Sequence, residues 1–130
     1  MNATALTCTA ILGLLLFGLG FAVSGLRFRH RRLSGFADDP TNLLHRLARA
    51  HGNTAEYVPF LAVLFLYLGS RNPSQWVLWL IIAATASRVV LAVGLVCWPS
   101  IAKPNPFRFL GALGTYFAGA ALCIALLSGL

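Results

Sequence analysis

Residues 45–60 read HRLARAHGNTAEYVPF and open an otherwise apolar segment that runs on to Leu68. The segment is long enough to cross a membrane as a helix. At about 100° per residue, one helix face, roughly 100° wide, collects five polar side chains, which we call the polar stripe: Arg46, Arg49, Asn53, Glu56 and Tyr57. Ionisable groups at membrane depth cost at least about 2.5 kcal/mol each and usually mark functional sites. The polar stripe therefore predicts a functional site. The alternative is that these groups have a structural role only and bind one another inside a bundle.

The composition is that of an integral membrane protein. Of 130 residues, 58% are hydrophobic and 10% are charged, which is too apolar for a soluble domain of this size. The net charge of +7 could suggest nucleic acid, but four arginines directly follow the first apolar segment, where a membrane flank carries basic residues: Arg27, Arg29, Arg31 and Arg32. We expect these residues to contact anionic lipid, and we expect no nucleic-acid partner.

Four apolar segments predict four membrane spans in a single domain that covers residues 1–130. The predicted spans are residues 3–26, 43–68, 75–97 and 106–128. The expected fold is an all-α, integral membrane four-helix bundle.

Local sequence also predicts where helices begin and how they pack. Asp39 or Thr41 is expected to cap the second helix, and Asn105 is expected to cap the fourth, with Pro106 in its first turn. Small residues on the fourth span, among them Gly111 and Gly114, favour close helix packing.

The three cysteines, Cys8, Cys97 and Cys123, lie within or at the ends of apolar segments. Their odd number gives no disulfide framework, and their spacing is not that of metal ligands. The sequence predicts no metal site.

The basic residues also predict how the chain sits across the membrane. The loops at residues 27–42 and 98–105 carry four arginines and Lys103, whereas the turn at the other side carries only Arg71. By the positive-inside rule the two basic loops face the cytosol and both termini lie on the opposite side. The open end of the polar stripe then faces the cytosol as well.

The charges of the predicted site favour an anionic ligand. Glu56 and Arg88 both reach a depth of roughly 15 to 20 Å from the cytosolic side, so we expect them to pair. The guanidiniums of Arg46, Arg49 and Arg108 then remain as surplus positive charge. Glutathione, with carboxylates at its ends, amides between them and one ammonium, matches these groups. Other small peptides and anionic lipids share some of these features.

The pattern Arg46-x-x-Arg49-Ala-His51-x-Asn53-x-x-Glu56-x-x-Pro59, on the second of four spans, resembles the signature of the MAPEG family. Members of this family, the membrane-associated proteins in eicosanoid and glutathione metabolism, include microsomal glutathione transferases and the leukotriene and prostaglandin E synthases. The resemblance implies a left-handed four-helix bundle assembled as a homotrimer. It also implies that glutathione binds in a crevice between neighbouring subunits.

The resemblance assigns roles to individual residues as well. It implies that glutathione is bound by Arg49, Asn53, Glu56, Tyr57 and Arg88, to which the surplus charge of the site adds Arg46. Arg108 matches the arginine that activates the thiol, because a guanidinium beside the sulfur stabilises the thiolate.

Two departures from the family pattern weaken the assignment of a specific synthase activity. The eicosanoid synthases have a tyrosine about two turns after the third-span arginine, whereas residues 89–96 contain no hydroxyl or aromatic group. The position after Arg108, which can be polar in the family, is Phe109 here. Tyr116 lies too far along the fourth span to serve as an obvious substitute.

The sequence supports three functional hypotheses. The first is a glutathione transferase or peroxidase that acts on lipophilic electrophiles arriving laterally from the bilayer. The second is a small transport subunit, in which an intramembrane carboxylate exchanges cations for protons, although the surrounding arginines disfavour a cation site. The third is a non-catalytic scaffold protein of the same family.

Overall fold

The computed structural model describes residues 1–35 and 38–129. These residues form four helices, α1 (Ala3–Arg29), α2 (Leu43–Ser70), α3 (Gln75–Cys97) and α4 (Pro106–Ser128), and no strand. The prediction of an all-α four-helix bundle is confirmed.

Three of the four helices are long and apolar enough to cross a membrane, namely α1, α3 and α4. The second helix, α2, falls outside this set because its first half carries the polar stripe. The membrane span predicted at residues 43–68 therefore stays a prediction.

The bundle consists of two closely packed pairs, α1 with α2 and α3 with α4. Contacts of α3 with α1 and α2, and of α2 with α4, join the pairs. The core between them receives a fully buried side chain from each helix: Leu12, Phe65, Ile81 and Leu122. Burial of these apolar groups fixes the rotation of each helix about its own axis, and hence the direction in which its polar residues point.

Asparagine side chains cap three of the helices. Asn2 caps α1. Asn105 caps α4 with Pro106 in the first turn, and this cap was predicted from the sequence. The prediction for α2 is wrong, because the cap is Asn42, whose Oδ1 accepts from the backbone N–H of Leu44 at 2.9 Å. Asp39 instead accepts from the backbone N–H and the hydroxyl of Thr41, and these bonds lower the pKa of the exposed Asp39 carboxyl from its usual value.

Glycines allow α4 to lie directly against α3. A Cβ atom at Gly111 would lie 2.7 Å from the backbone oxygen of Ser87 and 2.7 Å from the backbone nitrogen of Leu91. A Cβ atom at Gly114 would collide with the hydroxyl of Ser87. Gly111 therefore allows the two helix backbones to approach each other, and Gly114 leaves space for the side chain of Ser87.

Candidate functional site

Arg88 lies at the centre of the bundle and joins α3 to the polar stripe on α2. Its side chain is 1% exposed, and its Nη2 donates to Asn53 Oδ1 at 2.9 Å and to the backbone oxygen of Asn53 at 3.0 Å. The guanidinium carbon lies 5.1 Å from the centre of the Tyr57 ring, a cation–π distance. Arg88 and Glu56 both lie in the part of the chain that the structure describes, and they do not form the expected ion pair.

The bond from Arg88 also fixes the orientation of the Asn53 amide. A guanidinium only donates hydrogen bonds, so the amide atom that faces Arg88 is the oxygen. The two N–H bonds of the same amide are then turned away from Arg88. Arg88 thus orients the Asn53 side chain, so that the amide N–H groups of Asn53 can donate to other groups.

Asn53 lines a cavity of about 290 Å³, which we call the polar cavity. Arg49 reaches it from α2, and Arg108 and Tyr116 reach it from α4. The rest of its wall is apolar: Leu91, Leu95, Ile101 and Ala112. Two guanidiniums, an amide and a phenol from two helices therefore converge on one space.

The start of α4 is fixed against α3, and this contact positions Arg108. Asn105 Oδ1 accepts from the backbone N–H of Arg108 at 3.2 Å, while Asn105 Nδ2 donates to the backbone oxygen of Gly94 at 2.6 Å. A Cβ atom at Gly94 would lie 3.0 Å from the backbone nitrogen of Arg108. The exposed guanidinium of Arg108 donates from Nη1 to the backbone oxygen of Ile101 at 3.1 Å, at the edge of the polar cavity.

Tyr116 is a site residue that was not expected from the sequence. The hydroxyl of Tyr57 donates to the Tyr116 hydroxyl at 3.4 Å, and the two ring centres are 5.8 Å apart. Arg108, Ala112 and Tyr116 are spaced at i, i+4 and i+8, so they follow one face of α4. That spacing is the feature of the sequence that could have identified Tyr116.

Tyr116 also lines a second space, which we call the apolar cleft. This cleft between α2 and α4 has a volume of about 400 Å³. Its walls are mostly apolar: Phe60, Leu61, Leu64, Gly119, Ala120 and Cys123, with Tyr57 and Thr115. Glu56 lines this cleft rather than the polar cavity, and its side chain is exposed.

Arg46 lies apart from the polar cavity and binds the C-terminal end of helix α3. Its Nη1 donates to the backbone oxygens of Val96 at 2.7 Å and of Trp98 at 2.6 Å. Carbonyl groups at a helix C-terminus lack intrahelical donors, and a nearby cation satisfies them. The structure thus gives Arg46 a structural role, and its contact with glutathione stays a prediction.

The site residues predicted from sequence therefore divide into three groups. Arg49, Asn53 and Arg108 line the polar cavity, and Tyr57 and Glu56 line the apolar cleft. Arg88 and Arg46 bind protein groups. Each of the first two groups is accessible to a ligand.

No curated protein and no solved structure matches the chain. The family model described as the MAPEG family matches residues 5–128, which is nearly the whole chain. Together with three helices that are apolar enough to span a bilayer, this match makes the protein a multi-pass integral membrane protein. The chain belongs to the MAPEG family.

Proposed function

We propose that this protein binds glutathione in the polar cavity and activates its thiol for attack on lipophilic electrophiles. The observation that carries the proposal is the convergence of Arg49, Asn53 and Arg108 on one cavity. Two guanidiniums without a carboxylate in the lining make the cavity attractive to an anion. Membership of a family of glutathione and eicosanoid metabolism supports glutathione as that anion.

Each residue has a distinct role in this proposal. Arg49 binds a terminal carboxylate of the tripeptide, and the Asn53 amide, held by Arg88, donates to a peptide carbonyl. Arg108 lies beside the sulfur and stabilises the thiolate, which lowers the thiol pKa from about 8.5. Nucleophilic attack then proceeds near neutral pH.

The apolar cleft provides a route for the electrophile. It adjoins the polar cavity at Tyr116, and Phe60 at its wall is 59% exposed on the outer surface of the chain. A lipophilic molecule dissolved in the bilayer would enter the cleft laterally. Its reactive atom would then meet the thiolate at the boundary between the two spaces.

We further propose that the working form is a homotrimer with its basic loops in the cytosol. The polar cavity, at about 290 Å³, is just below the usual range for small-molecule sites, about 300–1,000 Å³. Arg49, Glu56 and Arg108 are exposed on a single chain. A neighbouring subunit would enclose the ligand and bring Glu56 within reach of its ammonium group.

Titration calorimetry with glutathione in detergent tests the binding step. Arg49→Ala removes a charge-assisted hydrogen bond worth about 1.5–3 kcal/mol, so we expect the Kd to rise about ten- to a hundredfold. Arg71→Ala is the matched control, because Arg71 follows the far end of α2 and donates to the Tyr67 hydroxyl. Absence of binding by the unmodified protein would refute the proposal.

Conjugation of chlorodinitrobenzene tests the chemical step separately. We expect Arg108→Ala to bind glutathione within a few fold of the unmodified protein, to conjugate far more slowly, and to raise the thiol pKa measured by thiolate absorbance. An unchanged conjugation rate would contradict the role of Arg108. If the unmodified protein binds glutathione but neither conjugates chlorodinitrobenzene nor reduces an organic hydroperoxide, the scaffold hypothesis is correct instead.

A further inference from the structure

Two tyrosine hydroxyls meet where the polar cavity joins the apolar cleft. Tyr116 lines both spaces, and Tyr57 lines the cleft. The Tyr57 hydroxyl donates a hydrogen bond to the Tyr116 oxygen at 3.4 Å. A hydroxyl carries one proton and two acceptor lone pairs, so the Tyr116 proton is left for a third group. A ligand at the boundary between the two spaces is in position to accept it.

We infer that Tyr116 is a catalytic proton donor, which protonates the departing oxygen when the electrophile is an organic hydroperoxide. This inference rests on the proposed function, since glutathione must supply the thiolate. The Cα atoms of Arg108 and Tyr116 are about 12 Å apart along α4, at about 1.5 Å per residue. That separation leaves room for the sulfur, the attacked oxygen and the departing oxygen between the two side chains.

The proposed step balances as follows. The thiolate sulfur attacks the terminal oxygen of the hydroperoxide, so that an S–O bond forms and the O–O bond breaks. The departing alkoxide takes the Tyr116 proton and becomes an alcohol, while the sulfur is oxidised to the sulfenic acid of glutathione. A second glutathione thiol converts this sulfenic acid to the disulfide and releases water. The Tyr116 phenolate regains its proton from water, into which the first thiol had released one.

The surroundings of Tyr116 suit the transfer of a proton. A phenol is a much stronger acid than an aliphatic alcohol, so transfer to the alkoxide is favourable. The bond from Tyr57 becomes charge-assisted, and stronger, once Tyr116 is a phenolate. The Arg88 guanidinium, 5.1 Å from the centre of the Tyr57 ring, polarises that phenol toward donation. Arg49 and Arg108, the other charged groups of the polar cavity, cannot serve as proton donors because arginine stays protonated.

Two electrophiles with different leaving groups distinguish proton donation by Tyr116 from a general effect of Tyr116 on the structure of the site. Chloride leaves chlorodinitrobenzene as a stable anion and needs no proton, whereas an alkoxide does. General acid catalysis typically contributes about 10²–10⁴-fold. Loss of the Tyr116 hydroxyl should therefore affect hydroperoxide reduction far more than aryl halide conjugation.

The test is Tyr116→Phe, with kcat/KM measured for cumene hydroperoxide and for chlorodinitrobenzene, and with the glutathione Kd measured in parallel. We expect the ratio of the two kcat/KM values to shift at least thirtyfold against the hydroperoxide, because general acid catalysis is lost. Tyr67→Phe is the matched control, because it removes the same group outside both spaces, and its ratio should not change. Tyr57→Phe should shift the ratio in the same direction by at least threefold but by less than Tyr116→Phe does, because it removes the hydrogen bond that becomes charge-assisted as Tyr116 gives up its proton. It serves as the second variant if Tyr116→Phe does not fold.

The outcomes distinguish this inference from the function on which it rests. If Tyr116→Phe lowers both activities equally, or if the unmodified protein conjugates chlorodinitrobenzene but reduces no hydroperoxide, the inference is overturned and the proposed function stands. If the unmodified protein does not bind glutathione, both are overturned.

Discussion

The contact between α3 and α4 should not tolerate a methyl group at Gly111. In Gly111→Ala the new Cβ would lie 2.6 Å from Leu91 Cβ, 2.7 Å from the Leu91 nitrogen and 2.7 Å from the Ser87 oxygen. Two of these atoms belong to the backbone of α3 and cannot rotate away. The two helices must therefore separate, which also moves Arg108 and Tyr116 relative to α3.

The size of the effect follows from comparison with a glycine that lies in open space. Overpacking a well-packed core typically costs about 1–3 kcal/mol, whereas alanine in a helix interior gains about 1 kcal/mol over glycine. Gly13→Ala on α1 receives the same gain without the collision, because a Cβ there would have no neighbouring atom within 4 Å. The difference between the two variants in free energy of unfolding should therefore equal the overpacking cost, about 1–3 kcal/mol.

Reversible unfolding in mixed micelles, with a denaturing detergent titrated and helicity followed by circular dichroism, measures this difference. Gly111→Ala should unfold at a lower detergent fraction than the unmodified protein, and Gly13→Ala at an equal or higher one. Equal stability of the two variants would refute the packing described for α3 and α4.

Two further predictions concern assembly and orientation. Native mass spectrometry of the detergent-solubilised protein should show three chains, since exposed site residues such as Arg49 and Glu56 need a neighbouring subunit to enclose a ligand; a monomer or dimer as the sole species would contradict the trimer. A reporter fused to the C-terminus should be active on the non-cytosolic side, because the basic loops at 27–42 and 98–105 favour the cytosol; a cytosolic C-terminus would remove the proposed site from the cytosolic glutathione pool.

Local patterns were sufficient to predict the elements of this fold. The apolar segments follow from the hydropathy of each stretch of sequence, because a helix that crosses a bilayer must be long and apolar. The cap at Asn105 and the proline after it are also local, since a helix start depends on the residues that flank it. The start of α2 shows the limit of this approach. Asp39, Thr41 and Asn42 are all capping residues, and packing of the first turn of α2 through Leu44 and Leu47 selects Asn42.

The polar stripe was predictable as a set, but the partner of each member was not. Depth along the helices suggested that Arg88 pairs with Glu56, yet depth does not specify rotation. Burial of Val58 and Phe65 in the core turns Asn53 toward α3 and leaves Glu56 exposed. The arginine on α3 therefore binds the amide and not the carboxylate.

The sequence by itself determined that this is an all-α membrane bundle with an arginine-rich stripe on its second helix, because periodicity and hydropathy are properties of each segment alone. The resemblance to the MAPEG family also came from one segment, the motif on that helix. Only the tertiary structure decided which polar groups share a cavity. Tyr116 joins Arg49 and Asn53 across 60 residues or more of chain because the close approach of α4 to α3 and α2 brings them together. Such a contact depends on the relative positions of three helices, which no single segment of the sequence specifies.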